Sequence, residues 1–575
     1  MSNTMIMSPI YHRFRAILHL LLIQSLLPVS LTYVLVQLWH NAFKKKEKVA
    51  ETAATDGSSS SGPKETFTVV LTGGKMSKTL HMVRCLRSFA DEDRNINMKI
   101  IVLESKSYRY CGTRFSRCVD NFHVITSPRD SPEAYKQGIY DACKLYNATH
   151  FLPVAAPVEA VYDAQLKDRL ESELGMKSLH MNYELCEILD DKHLFCSFLR
   201  DTVNVRSLKT FQVTTNDAVR EYNKKFQGEK EQGLLNRSII LKNLAYDPIH
   251  RLDLFQLPTT EENLDAYLKK IEVDGNPITK DEPWQLQEFL SSGTEYAAMI
   301  VVRSNYLVTM TCCPSSASQL NYVHVEIPCI REWLEDFMTG LSGSKHTLTG
   351  QLCFDFMVVE ENGVDVAYPI ECNPRVHTQC SIYNRDDVRS IFGKLLLSHD
   401  PKTETELKMK LERDYGRDGE ETPLNVYWFY NEFLQIFPNS WLLKYNDDSK
   451  PNMDIALCMP SSKELVMVLI YLPSVILWFV IAFPVFMSLL LVSCFGINTH
   501  RPRMRVITGK MLEFLKRLSE LNDNIEGDMW INDIKPFLAK NHVQIPSRLL
   551  ATIRTGVEWK KIDYAIGKVV EVGGD

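Results

Sequence analysis

The sequence predicts a mixed protein, an α/β unit followed by an α+β unit, with two hydrophobic segments set apart from both. Three observations predict it. Residues 67–89 read as a buried strand, a Thr72-Gly73-Gly74 turn and a helix. Residues 348–377 read as two apolar strands, each interrupted by a carboxylate. Residues 16–43 and 465–499 contain no Asp, Glu, Lys or Arg.

Taken from the amino terminus, residues 1–48 are expected to be a membrane anchor. The apolar core at 18–38 is long enough to cross a bilayer, and Lys44, Lys45, Lys46 and Lys48 follow it. The apolar stretch is longer than a signal peptide needs and no small-residue cleavage site follows, so the anchor is expected to be retained, with the catalytic part facing the cytosol. Residues 49–65, rich in Ser and Gly, have little to bury and read as a flexible linker.

The α/β unit is expected over 66–182. Further apolar runs at 99–103, 119–125 and 151–154, with a helical pattern at 132–146, continue the alternation of a parallel sheet. Gly73-Gly74-Lys75 lacks the spacing of a phosphate-binding P-loop. Residues 183–400 hold the second unit, with a mobile lid expected at about 237–301. Residues 401–462 are read as a helical connector and 463–500 as a membrane segment. The segment carries Pro473 and Pro484 and precedes Arg501, Arg503 and Arg505, so a proline-bent re-entrant hairpin fits the positive-inside tendency better than a single span. Residues 501–575 form a cytosolic tail without a chemical motif. A net charge of -6 over 575 residues offers no basic field for nucleic acid. The 14 scattered cysteines, without paired C-x-x-C spacing, suit reduced thiols.

The chemistry is concentrated at 348–377. A carboxylate in an apolar strand is costly unless paired or bound to metal, which singles out Asp355 and Glu371. Alternation places Glu371, Asn373 and Arg375 on one face. A two-residue Asn362-Gly363 loop would point Asp355 away from that face, so the functional reading predicts a three-residue or other odd-length loop. Two carboxylates and an amide oxygen suit Mg²⁺, and Arg375 can neutralise a phosphoryl group in transfer. The competing reading is a buried ion pair of Asp355 with Arg375 or His377.

Asp355-Phe on one strand and Glu371-Cys-Asn373-Pro-Arg375 on the next resemble the catalytic end of ATP-grasp enzymes such as biotin carboxylase, carbamoyl phosphate synthetase and D-alanine ligase. The resemblance implies an ATP-grasp fold behind a Rossmann-like pre-ATP-grasp domain. It implies ATP and Mg²⁺ as cofactors, with Mn²⁺ as a substitute, Asp355, Glu371 and Asn373 as metal ligands, and Arg375 as the catalytic group. Lys192, in Leu189-Asp-Asp-Lys192, and Lys242, in Ser238-Ile-Ile-Leu-Lys242, would meet the ATP phosphates. Gln287, Glu288, Phe289 and Leu290 resemble the adenine hinge, and Glu295 would take the ribose hydroxyls. Where many of these enzymes have a glycine-rich lid this chain has His250 and Arg251, which would supply contacts in its place.

Leu71-Thr-Gly-Gly-Lys75-Met-Ser-Lys78, Phe151-Leu-Pro-Val154, Lys242 with Tyr246-Asp247, the run from Cys312 to Tyr322, and Leu348-Thr-Gly-Gln351 are similar to the ligases that make mycosporine-glycine. That likeness implies phosphorylation of the enolic oxygen of 4-deoxygadusol and displacement of phosphate by glycine. The expected partners are a small-molecule acceptor, an amine or amino acid, and a membrane, with a homodimer left open and nucleic acid excluded. The alternatives are an amide-forming carboxylate-amine ligase and an anchored nucleotide-binding scaffold without turnover.

Overall fold

A computed structural model describes residues 9–25, several of 27–38, and 65–93, 95–154, 159–234, 237–243, 254–315, 321–412 and 425–427; beyond these it describes 525–526, 529–530, 532–557, 559–563 and 568–572. The linker expected at 49–65 falls outside them except for Glu65, as do the 465–499 segment and His250 and Arg251.

The first unit is a parallel sheet of β1 (Glu65–Leu71), β2 (Ile96–Ser105), β3 (Asn121–Ile125), β4 (His150–Leu152) and β5 (Lys177–Ser178), in the order β3-β2-β1-β4-β5. Val69, Val70, Leu71 and the facing Ile100, Ile101 and Val102 are fully buried, as strands covered on both faces should be. Helix Ser77–Glu92 lies on one face and Pro132–Tyr146 on the other. The latter starts with a Ser131 hydroxyl cap and Pro at its first turn. The chain reverses direction across the sheet between β1 and β4, so a crevice opens at the carboxyl ends of the strands.

Two antiparallel sheets follow. One comprises β6 (Thr210–Val213), β7 (Ile239–Asn243), β8 (Phe255–Leu257) and β9 (Trp284–Glu288), ordered β6-β9-β7-β8. Its outer face, with Val213, Leu241, Trp284 and Leu286, is covered by helices Asn216–Glu231 and Glu261–Val273. The other comprises β10 (Thr294–Arg303), β11 (Tyr306–Pro314), β13 (Gly350–Glu361) and β14 (Val364–Asn373), ordered β11-β10-β13-β14; the short β12 (Asn321–Val323) pairs instead with Asn425–Tyr427. Phe354 and Phe356 of β13 pack one face against Trp333 and Phe337 of helix Pro328–Ser342. The opposite face, with Met299 and Cys353, joins the core of the first unit. Helix Arg389–Leu397 ties the units together: a Cβ at Gly393 would fall 2.1 Å from the Cys85 carbonyl oxygen, so only glycine permits this approach. The architecture is α/β followed by α+β. The strand Asn425–Tyr427 lies in the stretch read as a helical connector.

The tail is docked. Arg84, 0% exposed, donates to the Asp533 carboxylate at 3.1 Å and to its carbonyl at 2.9 Å, and Ser116 donates to the same carboxylate at 2.6 Å. Removing one partner of such a buried pair costs about 3–5 kcal/mol, so the tail is bound into the first unit. Among the described residues no helix is long and apolar enough to cross a membrane. The expected amino-terminal span is represented there by helix Pro9–Ser25 and helical residues as far as Leu38. Its Ala16 packs on Ile545 and Leu549 of helix Ile545–Thr555, and Ser30 and His542 share a 2.6 Å hydrogen bond. Polar groups committed to protein in this way are at odds with a helix surrounded by lipid. The twelve described cysteines are all free.

Candidate active site

The loop between β13 and β14 differs from expectation. Glu361 pairs with Val364, leaving the two-residue turn Asn362-Gly363, with φ of 54° and 79°. Both positive values suit the Asn-Gly hairpin turn, and the local signal prevails over the odd-length loop. The register nevertheless changes parity. Phe356 pairs with Pro369 but Asp355 pairs with Glu371, so Ile370 is an extra residue bulged out of β14. The bulge turns Asp355 onto the face of Glu371. The sequence signal for it is Pro369, because proline inside a strand marks an edge or a bulge, and β14 is an edge strand.

The two carboxyls have opposite electrostatics. Burial, reinforced by the charge and hydrogen bond of Glu371, pushes Asp355 well above the usual carboxylate range. Burial also works to raise Glu371, but Lys192 and Lys242 outweigh it and bring it down to about 2. Lys192 Nζ lies 3.3 Å from Glu371 Oε2. Burial, followed by the Lys192 charge, lowers Lys242 to about 8. The site therefore gathers two lysines around one carboxylate, beside a second carboxyl whose affinity for a proton is raised.

Arg375 donates to Asn373 Oδ1 and, at 3.3 Å, to Asp190 Oδ1, while the Asn373 amide NH₂ donates to Asp355 Oδ2 at 3.1 Å. Asn373 thus turns its oxygen toward Arg375, and the amide must rotate for that oxygen to join the carboxylates. Asp190 is a site residue that the sequence reading missed. Its signal was the adjacent acid pair: Asp191 caps helix Lys192–Phe198 by accepting from the His193 and Leu194 amides, leaving Asp190 to orient Arg375.

Across the cleft, Lys242 pairs with Gln285 and Ile240 with Gln287, so strand alternation puts all four on the inner face of their sheet. Gln285 is 0% exposed, and among the described residues neither its amide nitrogen nor its oxygen has a partner; the Gln287 nitrogen also lacks one. A buried unsatisfied amide costs about 1–3 kcal/mol, so these side chains are built to meet something that enters the cleft. At the hinge, the Glu288 amide donates to Lys209 O at 3.0 Å and the Phe289 amide to Ser238 O at 2.8 Å. Those two donors are therefore committed to the chain. Leu290 packs with Leu208 and Val359 beside Met357 and Tyr368, an apolar cluster next to the hinge. Glu295 is exposed on β10, two residues from Ala297, which pairs with Asp355, so it shares that face.

The crevice of the first unit adjoins this site. It is a small cleft of about 20 Å³ lined by Thr72, Gly73, Lys75, Glu104, Tyr135 and Glu159, among others. Burial lowers the Lys75 pKa, but Glu104 at 4.0 Å and Glu159 at 3.8 Å more than offset this, and the ammonium stays charged. Tyr135 donates to the buried Asp163 at 2.9 Å. Lys78, on the helix behind the Gly73 turn, donates to the Val376 carbonyl at 2.7 Å, and burial with the Arg375 charge brings it down to about 7. Lys78 therefore links the crevice to Arg375. Among the described residues no three His, Cys, Asp or Glu side chains form a closed metal cage. Mg²⁺ needs no such cage where phosphate oxygens complete its shell, and the Asp355–Glu371 pair fits it on those terms.

No family model and no curated protein matches the chain. Among solved structures it is similar to the biotin carboxylase of Campylobacter jejuni in complex with β,γ-ATP (14% identity, TM-score 0.42, 57% of this chain and 70% of that one). It is also similar to the L-amino acid ligase of Bacillus licheniformis (9%, 0.40, 60% and 77%) and to N5-carboxyaminoimidazole synthetase of Staphylococcus aureus (13%, 0.40, 62% and 88%). At this level of likeness the functional reading rests on the site itself.

Proposed function

We propose that the chain is an ATP- and Mg²⁺-dependent ligase of the ATP-grasp type, which phosphorylates an enol or carboxylate oxygen and joins the activated carbon to an amine. The observation that carries this reading is the Ile370 bulge, which sets Asp355 opposite Glu371 in a cleft that also holds Lys192, Lys242 and Arg375. A bulge that places two carboxyls side by side has a purpose when a cation and a phosphate come between them, and is a liability otherwise.

In this reading the adenine lies beside the hinge near the apolar cluster of Leu290 and Val359, Gln285 and Gln287 meet the nucleotide along the inner sheet face, and Lys192 and Lys242 hold its phosphates. Asp355 and Glu371 would hold the Mg²⁺, which supplies charge neutralisation at the transferring phosphoryl group. Arg375, fixed by Asp190 and Asn373, points its guanidinium at the same place. The acceptor approaches from the crevice around Lys75, where Lys75 and Glu159 are the groups that could meet it, Tyr135 and Glu104 being held by Asp163 and by the Lys75 and Ser105 amides. Supporting a mycosporine-glycine-like acceptor, two of the motifs shared with those ligases, Leu71 to Lys78 and Phe151 to Val154, meet at that crevice. The charged Lys75 supports a carboxylate acceptor instead, which is the second reading.

The test is ADP release by the purified protein with ATP, Mg²⁺, candidate cyclohexenones or carboxylic acids, and amino acids. Enol activation gives amine-dependent ADP without hydroxylamine-trappable product, whereas a carboxylate substrate gives a hydroxamate. Nucleotide binding with no acceptor-dependent ADP across the panel would defeat the ligase reading.

A further inference from the structure

The amino-terminal helix has two faces. Ala16, His19, Ser30, Tyr33 and Val34 are buried, against Ile545, Leu549, Phe537 and His542 of the carboxyl-terminal unit where their contacts are resolved. The opposite face exposes Ile10 (73%), Phe14 (50%), Leu21 (51%) and Leu35 (64%), and with them Ile17, Leu31 and Leu38. Positions 10, 14, 17 and 21 recur at three- and four-residue intervals along helix Pro9–Ser25, and 31, 35 and 38 repeat that spacing among the described helical residues beyond it, so each set forms an apolar stripe. Arg13 is exposed at the rim of the first.

We infer that these stripes are a docking surface for an anionic lipid bilayer, on which the helix lies in the membrane plane while its other face stays bound to the carboxyl-terminal helices. Two observations favour lipid over a second copy of the chain. Helix pairing through such a seam takes its specificity from flanking residues of both signs, and residues 9–38 carry only Arg13 and Arg15, with no acid to pair with them in a second copy. The chain continuing from the helix carries Lys44, Lys45, Lys46 and Lys48, a charge complement to acidic headgroups. Lying in plane also reconciles an apolar outer face with the polar Ser30–His542 contact on the inner one, which a spanning helix would have to abandon.

The full-length protein is sedimented with phosphatidylcholine vesicles with and without phosphatidylserine. It pellets with the anionic vesicles, and the triple variant Phe14→Glu/Leu21→Glu/Leu35→Glu loses about a hundredfold in partition, because three buried apolar side chains are replaced by charges. Its ADP release matches the parent, since none of the three touches the cleft. Undiminished pelleting of the triple variant overturns the inference. A parent that ignores vesicles and is a dimer dissociated by the three glutamates overturns it in favour of self-association.

Discussion

The two sheets that face each other across the cleft hold their polar side chains in opposite ways. On the β13–β14 side each group is tied to another: Asp355 to Asn373, Asn373 to Arg375, Arg375 to Asp190, and Glu371 to Lys192. On the β9 side Gln285 and Gln287 are buried without full hydrogen bonding. One wall is held together by its own hydrogen bonds and needs only the Asn373 amide to turn for a cation, whereas the other is completed only by what binds. The fold thus bears the cost of unsatisfied amides on the wall that recognises the nucleotide, and keeps the groups of the catalytic wall paired.

The largest expected effect tests the paired wall. Glu371→Gln preserves shape but removes the charge that Lys192 and Lys242 surround, so acceptor-dependent ADP release should fall by about a thousandfold, with a moderate loss of melting temperature from the broken ion pair. Near-parent turnover in a well-folded variant would end the metal role. Asp190→Asn leaves Arg375 in place but loosens its orientation, and kcat should fall about 10–100-fold with little change in KM for ATP. A change confined to KM would move Asp190 to the recognising wall.

Gln285→Leu tests the other wall. Replacing an unsatisfied buried amide with an apolar side chain of similar size should raise the melting temperature of the nucleotide-free protein, while KM for ATP rises about tenfold. Opposite signs on stability and on nucleotide affinity are the signature of a side chain kept for binding. If both fell together, Gln285 would be a structural residue and the contrast between the walls would lose its basis.

The parallel sheet and the carboxylate-bearing strands were legible in the sequence because apolar runs and their alternation depend on local composition alone. Asp355, Glu371 and Arg375 stood out because charges in apolar strands are rare. The bulge was not read, although Pro369 marked it, because register is set by pairing between strands rather than by either strand alone. Asp190 was overlooked beside Lys192 because its partner lies 185 residues away. The tail gave no motif because its role is packing: Asp533 becomes meaningful only when folding brings Arg84 and Ser116 to it. The described helical residues between 9 and 38 stand out in the sequence by their apolar content, and only the fold shows that one face of helix Pro9–Ser25 is occupied by protein.

The smallest expected effect separates loss of the fold from loss of the site in acid. His180 is buried at the end of β5 and its Nε2 lies 2.9 Å from the Ala160 carbonyl; burial, helped by the Lys167 charge and opposed by that hydrogen bond, lowers its pKa from 6.5 to about 4. Between these values the unfolded chain binds a proton that the folded chain refuses, so stability is full above pH 6.5 and declines as the pH falls toward 4. His180→Gln retains a donor at the Nε2 position for Ala160 without the titrating ring, and its melting temperature should lose less on going from pH 7 to 5 than the parent's does, by about a few degrees. Activity of both proteins at pH 5, measured below their melting temperatures, should then decline together, since the catalytic walls are unchanged. A variant whose melting temperature tracks the parent across this range would mean that His180 carries its proton in the folded state.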